Sequence, residues 1–234
     1  MNRKKIVAGL ISMSFVGIVY WNIAEHDTNT VTQAGNQSNA VSEEKNNLPN
    51  INPKEIYGTV ESQSIWAFDP SIPENLFTAG AASIVQLKVL TIGEAEILPK
   101  TENFYTQEPH TPIEVEIVDT ISGIPLSGEK TVYMKGGEIR ISKLIKHLDK
   151  GSIDKIRFNK LSQKVKDSKF ISYTSDHRYK MKTGKEYTVI LMPQTESIFT
   201  VMGSGYGIFD IEKDKSGKKI YKNVLTGKDS PLKF

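Results

Sequence analysis

The sequence predicts a mainly β protein: a small antiparallel barrel or sandwich of about seven or eight strands with a short helical insertion, preceded by one transmembrane helix. Three patterns support this. An uncharged apolar run follows a basic start, short segments alternate apolar and polar residues between Gly or Pro turns, and one central stretch has helical spacing. Without the first run and the polar stretch behind it, about 175 residues remain, which suits one domain with one core.

The N-terminal run predicts a membrane anchor. Arg3-Lys4-Lys5 precede the nineteen mostly apolar, uncharged residues Ile6–Ala24. Such a run just spans a hydrocarbon core of about 30 Å, and its basic flank places the N-terminus in the cytoplasm. Residues 1–25 are therefore expected to be a cytoplasmic stub and a single-pass anchor, with everything after them extracytoplasmic.

A cleaved secretion signal is the alternative interpretation of the same run. Signals share the charged start, but their apolar region is usually about 7–15 residues and ends in a small-x-small site. Asn22 and Ala24 fit that site poorly, and Tyr20-Trp21 suit an interfacial aromatic belt. Either interpretation exports the rest of the chain. The absence of Cys excludes lipid attachment through a cysteine, disulfides and thiolate metal sites.

Residues 26–55 are predicted to be a flexible linker. They are rich in Asn, Thr, Ser, Gln and Glu and show no apolar period. A coil of about 28 residues averages roughly 30 Å end to end. The exported β-rich domain is accordingly expected to occupy residues 56–234.

The first predicted strands alternate clearly. In SIVQLKVLTI, which starts at Ser83, residues Val85, Leu87 and Val89 share one face. A loop with Pro109 and Pro112 excludes helix. The run 112–121 then places Ile113, Val115 and Ile117 on one face, as in a half-buried antiparallel strand. A short strand over 131–134 is expected to end at Gly136-Gly137.

Helical spacing follows in the middle of the chain. Leu144, Ile145 and Leu148 recur at that spacing, with Ser142 as the expected N-cap and Gly151 as the expected C-cap. One or two more helical turns are expected over residues 152–167. Strands are then predicted at 170–174, 186–192, 197–202, 206–211 and 219–224, the second and third forming a hairpin and the last two a final hairpin.

These segments together resemble a known group of proteins. The pattern comprises Thr111-Pro112-Ile113-x-Val115-x-Ile117-Val118-Asp119-Thr120, Gly136-Gly137, Thr174-Ser175-Asp176, Lys182-Thr183-Gly184-Lys185-Glu186-Tyr187 and Tyr206-Gly207-Ile208-Phe209. It resembles small Gram-positive membrane-anchored extracytoplasmic β-rich proteins of unassigned function, over roughly residues 83–225. The resemblance implies a β-rich fold and a location outside the cytoplasm, and it supplies no catalytic residues.

The net charge of +3 conceals two opposite halves. Residues 25–138 carry 17 acidic and 6 basic residues, whereas residues 139–234 carry 10 acidic and 21 basic residues. The basic half is densest between Arg140 and Lys185. These cations are either a solvated surface neutralised by the acidic half or a basic face near anionic lipid or wall polymer. Nucleic acid is not an expected partner, because the lysines lack interleaved aromatic residues.

No motif in the chain predicts a catalytic or metal site. The four histidines, His26, His110, His147 and His177, show no metal-ligand spacing, and no serine elbow is present. The glycines of residues 203–207 precede an expected strand rather than a helix, which favours a bulge over a phosphate loop. The acidic run 210–214 lacks the spacing of a calcium loop and predicts a hairpin turn.

The predicted function is an extracytoplasmic binding or accessory module of the bacterial cell envelope, without catalysis and without a cofactor. Its partners are the membrane, through the N-terminal helix, and an envelope protein or anionic polymer. Aromatic and basic residues cluster as binding patches do, in a possible patch of Tyr173, His177, Arg178, Tyr179, Lys180 and Lys182. An exported hydrolase acting on wall or lipid material, with His110 or His177 beside Ser and Asp, is one alternative. A structural protein held against anionic lipid or wall polymer is the other.

Overall fold

The computed structural model describes residues 20–22, 51–64, 66–78, 83–101 and 104–230, and it is mainly β with two sheets and a few short helices. The strands are β1 (Tyr20–Asn22), β2 (Ile56–Ser62), β3 (Ser83–Ile92), β4 (Glu96–Ile97), β5 (Pro109–Gly123), β6 (Gly128–Lys135), β7 (Gly137–Arg140), β8 (Phe170–Ser175), β9 (Glu186–Pro193), β10 (Phe199–Val201), β11 (Ile208–Lys213) and β12 (Lys219–Asn223). The α-helices are α1 (Pro73–Thr78), α2 (Ile141–Leu144), α3 (Lys150–Lys155) and α4 (Gln163–Ser168). Short 3₁₀ turns occur at Pro53–Glu55, Ile145–His147, Phe158–Lys160 and Ser204–Gly207.

Strands β3 and β5 form the centre of the larger sheet, and their alternation is confirmed. Ile113, Val115 and Ile117 are buried while the residues between them are exposed. On β3 the expected face of Val85, Leu87 and Val89 is fully buried. The opposite face is covered as well, since helix α1 packs against the same side as Ile84.

The larger sheet contains a closed circuit of pairings. Strands β3, β5 and β6 follow one another as antiparallel neighbours, and β9 returns by a long connection to lie beside β3. This order is a Greek key. Strand β10 then pairs antiparallel with β9 and parallel with β6, so the five pairings form a ring. Strands β11 and β12 extend the sheet from β9, and β4 pairs with β5.

The smaller sheet has the order β1-β2-β8-β7. Its central pair, β2 and β8, is parallel. The expectation of a purely antiparallel fold is therefore corrected at two places, β2–β8 and β6–β10. Both pairs are separated along the chain by long connections, which parallel pairing requires and which local sequence patterns do not reveal.

The number of strands also exceeds the expected seven or eight. The additional strands β4 and β7 have only two and four residues, too few to show an alternating pattern. Strand β2 and helix α1 were not predicted either. Strand β6 ends before Gly136 as expected, but the chain resumes at once as β7 in the other sheet.

The helical insertion is present, with different caps from those predicted. Helix α2 begins after Arg140, which makes no side-chain cap, and Gly151 lies inside α3 instead of ending a helix. The capping side chains are Asp149, which accepts from the amide of Ser152, and Ser162, which accepts from the amide of Val165. Both are residue types that are preferred at N-caps, so the capping preference holds, but at positions other than those predicted.

Three apolar clusters hold these layers together. The first draws residues from all five strands of the circuit: Val85, Leu87, Val89, Ile113, Val115, Ile117, Val132, Met134, Tyr187, Val189, Leu191, Phe199 and Val201. The second joins the smaller sheet to the insertion through Val60, Ile139, Ile141, Leu144, Ile156, Phe158 and Ile171. The third lies beneath α1 and comprises Leu76, Ile84, Ile190, Met202 and Phe209.

Most of the predicted anchor and linker lies outside the described residues. Of the apolar run only Tyr20–Asn22 is described, and these residues form β1, paired antiparallel with β2, where the sequence predicted helix. In the described part of the chain, no helix is long and apolar enough to cross a membrane. The anchor itself stays a prediction.

Candidate binding site at the junction of the two sheets

The junction between the sheets lies at Gly136 and Gly137, where the chain passes from β6 of the larger sheet to β7 of the smaller one. Gly136 and Gly137 have φ values of +84° and +128°, which L side chains rarely adopt. A Cβ on Gly136 would lie 2.8 Å from the Tyr173 carbonyl oxygen, and one on Gly137 would lie 2.2 Å from Thr111 Oγ1. The Thr111 hydroxyl also donates to the Gly136 carbonyl oxygen over 2.8 Å. These contacts bring β5, β6 and β8 together at one point.

An ion-pair cluster around Glu138 closes one side of the junction. Arg178 Nη1 lies 3.3 Å from Glu138 Oε1, and Lys180 Nζ lies 3.4 Å from the same oxygen. Arg178 also donates to the Tyr173 carbonyl oxygen over 3.2 Å. The side chains of Arg178 and Glu138 are only 10% and 19% exposed, so this pair is well shielded from solvent. Burial alone would raise the pKa of Glu138, but the Arg178 guanidinium, with help from Lys180, holds that pKa below its ordinary value.

A shallow depression opens beside these residues between the two sheets. It has a volume of about 220 Å³, continuous with solvent, and is lined by Ser62, Glu108, Lys135, Gly136, Tyr173, Thr174 and Ser175. Lys135 Nζ and Glu108 Oε2 form an ion pair of 2.6 Å. The space that it encloses is only about 10 Å³, room for about one water molecule, far below the 300–1,000 Å³ of pockets that enclose a small molecule. The depression is therefore a contact surface for a larger partner and not a ligand pocket.

Tyr173 is the aromatic residue of this depression. Its ring packs against the cluster under the helical insertion, and the residue is half-buried. Burial, with a smaller contribution from the charge of Glu108, raises the pKa of Tyr173 to about 12, so the hydroxyl keeps its proton at physiological pH. Among the residues that the structure describes, no group hydrogen-bonds this hydroxyl. The hydroxyl of Tyr173 is thus a hydrogen-bond donor on an immobilised ring, without an acceptor among the described residues.

The other residues of the predicted patch have separate positions. Tyr179 packs against the core of the circuit, its ring edge-on to that of Tyr187 at 6.0 Å. Lys182 is exposed, and its backbone amide donates to the Tyr187 hydroxyl over 3.0 Å. The ring of His177 lies 4.9 Å from that of Tyr206. Of the six predicted residues, the structure thus brings together Tyr173, Arg178 and Lys180.

The histidines do not form a Ser-His-Asp arrangement within the described residues. His177 Nε2 lies 3.1 Å from Asp176 Oδ2, and His110 Nδ1 lies 3.0 Å from the Glu108 carbonyl oxygen. No serine hydroxyl in the described part of the chain hydrogen-bonds either ring. Burial lowers the pKa of His110, which keeps its imidazole neutral at neutral pH.

The two weaker motifs have structural roles. The glycines of 203–207 form a 3₁₀ turn that leads directly into β11, and a strand in place of a helix is what the sequence predicted. Asp214 ends the β11–β12 hairpin by accepting from the amides of Ser216 and Lys218. The hairpin turn is therefore confirmed, and no group of metal-ligating residues occurs in the described ranges.

The cations between Arg140 and Lys185 differ in their partners. Five have carboxylate partners within 4.0 Å: Arg140 and Lys143 on Glu94, Arg178 and Lys180 on Glu138, and Lys185 on Asp210. Seven others lie in residues 145–168, here called the basic insert, and have no such partner among described residues: Lys146, Lys150, Lys155, Arg157, Lys160, Lys164 and Lys166. The cations of the basic half therefore differ in whether a carboxylate lies within 4.0 Å of them.

Comparison with protein families, curated proteins and solved structures returned no significant match for this chain. Interpretation of the site therefore depends on its own geometry.

The depression was only partly predictable. Tyr173 was identified from its aromatic and basic neighbours in sequence. Glu108, Lys135 and Ser62 were not, because they come from segments distant along the chain; the Ser62 hydroxyl donates to the Thr174 carbonyl oxygen across 112 positions. Gly136-Gly137 was the available signal, since two adjacent glycines after a strand often mark a close backbone approach.

Proposed function

We propose that this protein is an extracytoplasmic binding module of the bacterial cell envelope, and that it recognises its partner at the depression between the two sheets without catalysing a reaction. The observation that carries this proposal is Tyr173. The residue lines the depression, its ring packs against the cluster under the helical insertion, and its protonated hydroxyl has no hydrogen-bond partner among the described residues. Anchored tyrosines with one polar end are the residue type that dominates interface energetics.

The surroundings of Tyr173 support recognition of a polar partner. The Glu108–Lys135 pair supplies both signs of charge at the rim, and the Glu138–Arg178 pair holds the β8 backbone in place. Such preorganised groups lower the entropic cost of binding. We favour an envelope protein as the partner, because a depression that encloses only about 10 Å³ is too shallow to hold a free small molecule and offers a surface for a macromolecule.

The proposal includes the finer architecture. We interpret the closed circuit of β3, β5, β6, β10 and β9 as the small barrel expected from the sequence. One known fold of five-stranded Greek-key barrels binds its ligands on its second and third strands and on the loops that follow its first and fourth strands. Here Glu108 ends the connection after β3 and Lys135 ends β6, the third strand of the circuit. This agreement is an analogy of fold only.

The proposed location is the outer face of the cytoplasmic membrane, with the N-terminus inside. Strand β1 changes how the domain would be held. Because Tyr20–Asn22 pair with β2, residues 23–50 connect two points of one sheet, and the domain would lie against the membrane and not at the end of a long tether. The uncharged residues 6–19 left for the membrane would extend about 21 Å as a helix, less than the hydrocarbon core of about 30 Å.

A span this short supports the alternative interpretation, in which the apolar run is a cleaved secretion signal. Extraction of membranes with alkaline carbonate separates the two. An anchored protein stays in the pellet with its full mass, whereas a cleaved one is released and lacks its first residues.

Site-directed photocrosslinking in cells tests the binding proposal. A photoreactive residue at Thr174, in the depression, should give a discrete adduct, while the same residue at Ser216, in the β11–β12 turn, should not. Tyr173→Phe keeps the ring and removes the hydroxyl, so the adduct yield at Thr174 should fall about threefold to tenfold, the worth of one hydrogen bond.

The adducts also decide the class of partner. An adduct that protease digests identifies a protein, and one that only a wall-glycan hydrolase digests identifies a polymer. Equal labelling at Thr174 and Ser216, or a yield unaffected by Tyr173→Phe, would contradict recognition at the depression. No observation in the described residues favours the hydrolase alternative.

A further inference from the structure

The outer face of the larger sheet carries a row of charged side chains, most of them acidic. On β5 the residues that alternate with the buried face point outward, among them Glu114 and Glu116. The register pairs Glu116 with Glu129 of β6 on one side and with Lys88 of β3 on the other. Lys88 in turn lies opposite Glu186 of β9. All five residues are exposed, and they are here called the acidic face.

The acidic face is not neutralised within the chain. Its four carboxylates and one ammonium give a net charge of −3. Among the described residues, no ion pair within 4.0 Å involves any of the five. Glu186 accepts a hydrogen bond from the Gln86 amide over 2.8 Å, whereas Glu116 and Glu129 lie directly opposite each other. Like charges in that position destabilise a sheet, so a cation brought to this face would relieve a repulsion.

The basic insert is a surface of the opposite charge. Its apolar residues Ile153, Ile156, Phe158 and Leu161 pack against the cluster shared with the smaller sheet, which leaves the charged side chains on the side away from that sheet. Six of its seven cations are exposed, and Lys166 is half-exposed. Because residues 145–168 also contain three acidic residues, the insert carries a net charge of +4.

The acidic residues of the insert do not neutralise its cations. Asp149 accepts from the amide and hydroxyl of Ser152, and Asp154 and Asp167 each accept from the amide group of a nearby side chain. All three carboxylates thus serve local turns. In the described ranges, no ion pair within 4.0 Å links the seven cations to these carboxylates or to the acidic face.

Exposed apolar side chains adjoin the acidic face. Val118 follows Glu116 on the same side of β5 and is 48% exposed, and Ile124, directly after the strand, is 55% exposed. They are two of the four large apolar side chains that are exposed in the described part of the chain. Because protein interfaces combine an apolar centre with a polar rim, this stretch has both components of a contact surface.

We propose that the acidic face of one copy of this protein binds the basic insert of a second copy. Net charges of −3 and +4 on two separate surfaces of one chain are electrostatically complementary, and identical copies supply both surfaces in equal amounts. The contact is heterologous, so a pair of copies still has one acidic face and one basic insert free for further copies. This inference goes beyond the proposed function and depends neither on the depression nor on the membrane anchor.

The contact is expected to be weak and to depend on salt. One exposed ion pair changes an equilibrium constant by about twofold to fivefold. The Debye length falls from about 10 Å at 0.1 M salt to about 4 Å at 0.5 M, so the association should weaken over that range.

Sedimentation velocity of the purified full chain in mild detergent measures the association, and two triple variants locate it. Glu114→Gln, Glu116→Gln and Glu129→Gln together neutralise the acidic face, and Lys150→Gln, Lys155→Gln and Lys164→Gln together neutralise part of the insert. Each triple variant alone should self-associate about tenfold to a hundredfold more weakly than the wild type. A mixture of the two should associate again, but only as one-to-one pairs, because each supplies the surface that the other lacks.

A third triple variant separates local from overall charge. Lys213→Gln, Lys215→Gln and Lys218→Gln remove the same charge from the β11–β12 hairpin and should change the association less than about threefold. Circular dichroism of all three triple variants checks that the fold is retained.

Single cysteines report the geometry of the contact, because the sequence contains no Cys. Thr131 lies on β6 opposite Glu114, beside the acidic face. In a mixed sample, a bismaleimide should join Thr131→Cys to Asn159→Cys in the insert. It should not join Thr131→Cys to Ser216→Cys in the distant hairpin.

Three results would overturn the inference. These are sedimentation of the wild type as a monomer throughout a concentration series, failure of the mixed triple variants to associate, and equal crosslinking of Thr131→Cys to Asn159→Cys and to Ser216→Cys. In the first case, a photoreactive residue at Thr131 in cells would identify a different, basic protein as the occupant of the acidic face. Crosslinking at Thr174 is measured separately, so this inference and the binding proposal can fail independently.

Discussion

Gly137→Ala is expected to be among the most destabilising single substitutions in this protein. The new Cβ would lie 2.2 Å from Thr111 Oγ1 and 2.7 Å from Ala95 Cβ, both in buried residues. It would also impose φ +128° on a residue with a side chain. Three separate penalties therefore act at one position.

Their magnitudes can be added approximately. The backbone conformation costs about 1–3 kcal/mol and overpacking about 1–3 kcal/mol. Displacing Thr111 from its hydrogen bond with the Gly136 carbonyl costs a further 0.5–1.5 kcal/mol, roughly. The expected loss is about 2.5–7.5 kcal/mol, a large share of the 5–15 kcal/mol that typically stabilises a domain.

Urea unfolding of the purified protein in mild detergent, followed by circular dichroism, measures this loss. With a slope of about 2 kcal/mol per M, the midpoint should fall by about 2 M. Gly128→Ala is the matched control, because Gly128 also has a positive φ, +68°, but nothing lies within 4 Å of its added Cβ. It should cost only the backbone penalty of about 1–2 kcal/mol.

Equal midpoints for Gly137→Ala and Gly128→Ala would refute the reasoning. A double variant sharpens the test. Thr111→Ala removes the hydroxyl oxygen that lies nearest to the new Cβ in Gly137→Ala. The loss of stability in the double variant should therefore be smaller than the sum of the two single losses by about 1 kcal/mol.

Three further predictions concern buried polar groups. Glu138→Gln should lower stability by about 1.5–3 kcal/mol at neutral pH, because it leaves the guanidinium of Arg178 nearly buried without a counter-charge. The folded-state pKa of Glu138 is depressed, so the wild type should keep this advantage above pH 4.5, its ordinary value, and lose it as pH falls through the folded pKa. His110→Gln should flatten the loss of stability that the wild type shows as pH falls below 6.5, where the unfolded chain takes up a proton that buried His110 resists. Asn223→Ala should cost about 2–4 kcal/mol, since its amide group donates to three carbonyls, and its oxygen accepts from the amides of Leu225 and Thr226.

Urea midpoints measured from pH 3 to 8, the range that contains both ordinary pKa values, check the first two. A pH profile of Glu138→Gln parallel to that of the wild type below pH 4.5 would contradict the ion-pair argument. An unchanged slope between pH 5 and 6.5 in His110→Gln would contradict the second. For the third, Asn159→Ala is the control: its single exposed hydrogen bond to Asp154 should be worth little, and an equal loss in both variants would count against the role of Asn223.

The sequence predicted local structure well where apolar residues alternate. Strand β3 begins at Ser83 as predicted, and the buried face of β5 contains the three predicted residues. The Asp214 turn was predicted as well, because a turn depends on neighbours only two to four positions away. In all these cases the physical cause lies within one short segment.

Features that depend on distant segments were not predicted. Strand β10 and its antiparallel pairing with β9 were predicted, but its parallel partner β6 lies more than sixty positions earlier, and no local period marks that pair. The depression needs Ser62, Glu108 and Lys135 beside Tyr173. Only the path of the backbone at Gly136 and Gly137 brings these residues together.

The helix caps of the insertion were predicted at the wrong residues for another reason. Ser142 and Gly151 satisfied the residue preferences for caps, as did Asp149 and Ser162, and propensity alone does not choose between such pairs. Packing of Ile141 and Leu144 in the core decided where the first helix starts. The basic insert shows the same limit, since the sequence revealed its charge but not which cations would be paired.

The ring of pairings also constrains the order in which the chain can fold. Its closing contact joins Val132 of β6 to Phe199 of β10, and the whole helical insertion lies between them. Closure of so long a loop carries a large entropic cost before any contact offsets it, which slows folding of chains with many non-local pairings. A chain emerging N-terminus first from a ribosome therefore cannot complete its central layer until residue 201 has appeared. Until then β6 presents an unpaired edge, and a chaperone that covers that edge would suppress misassembly.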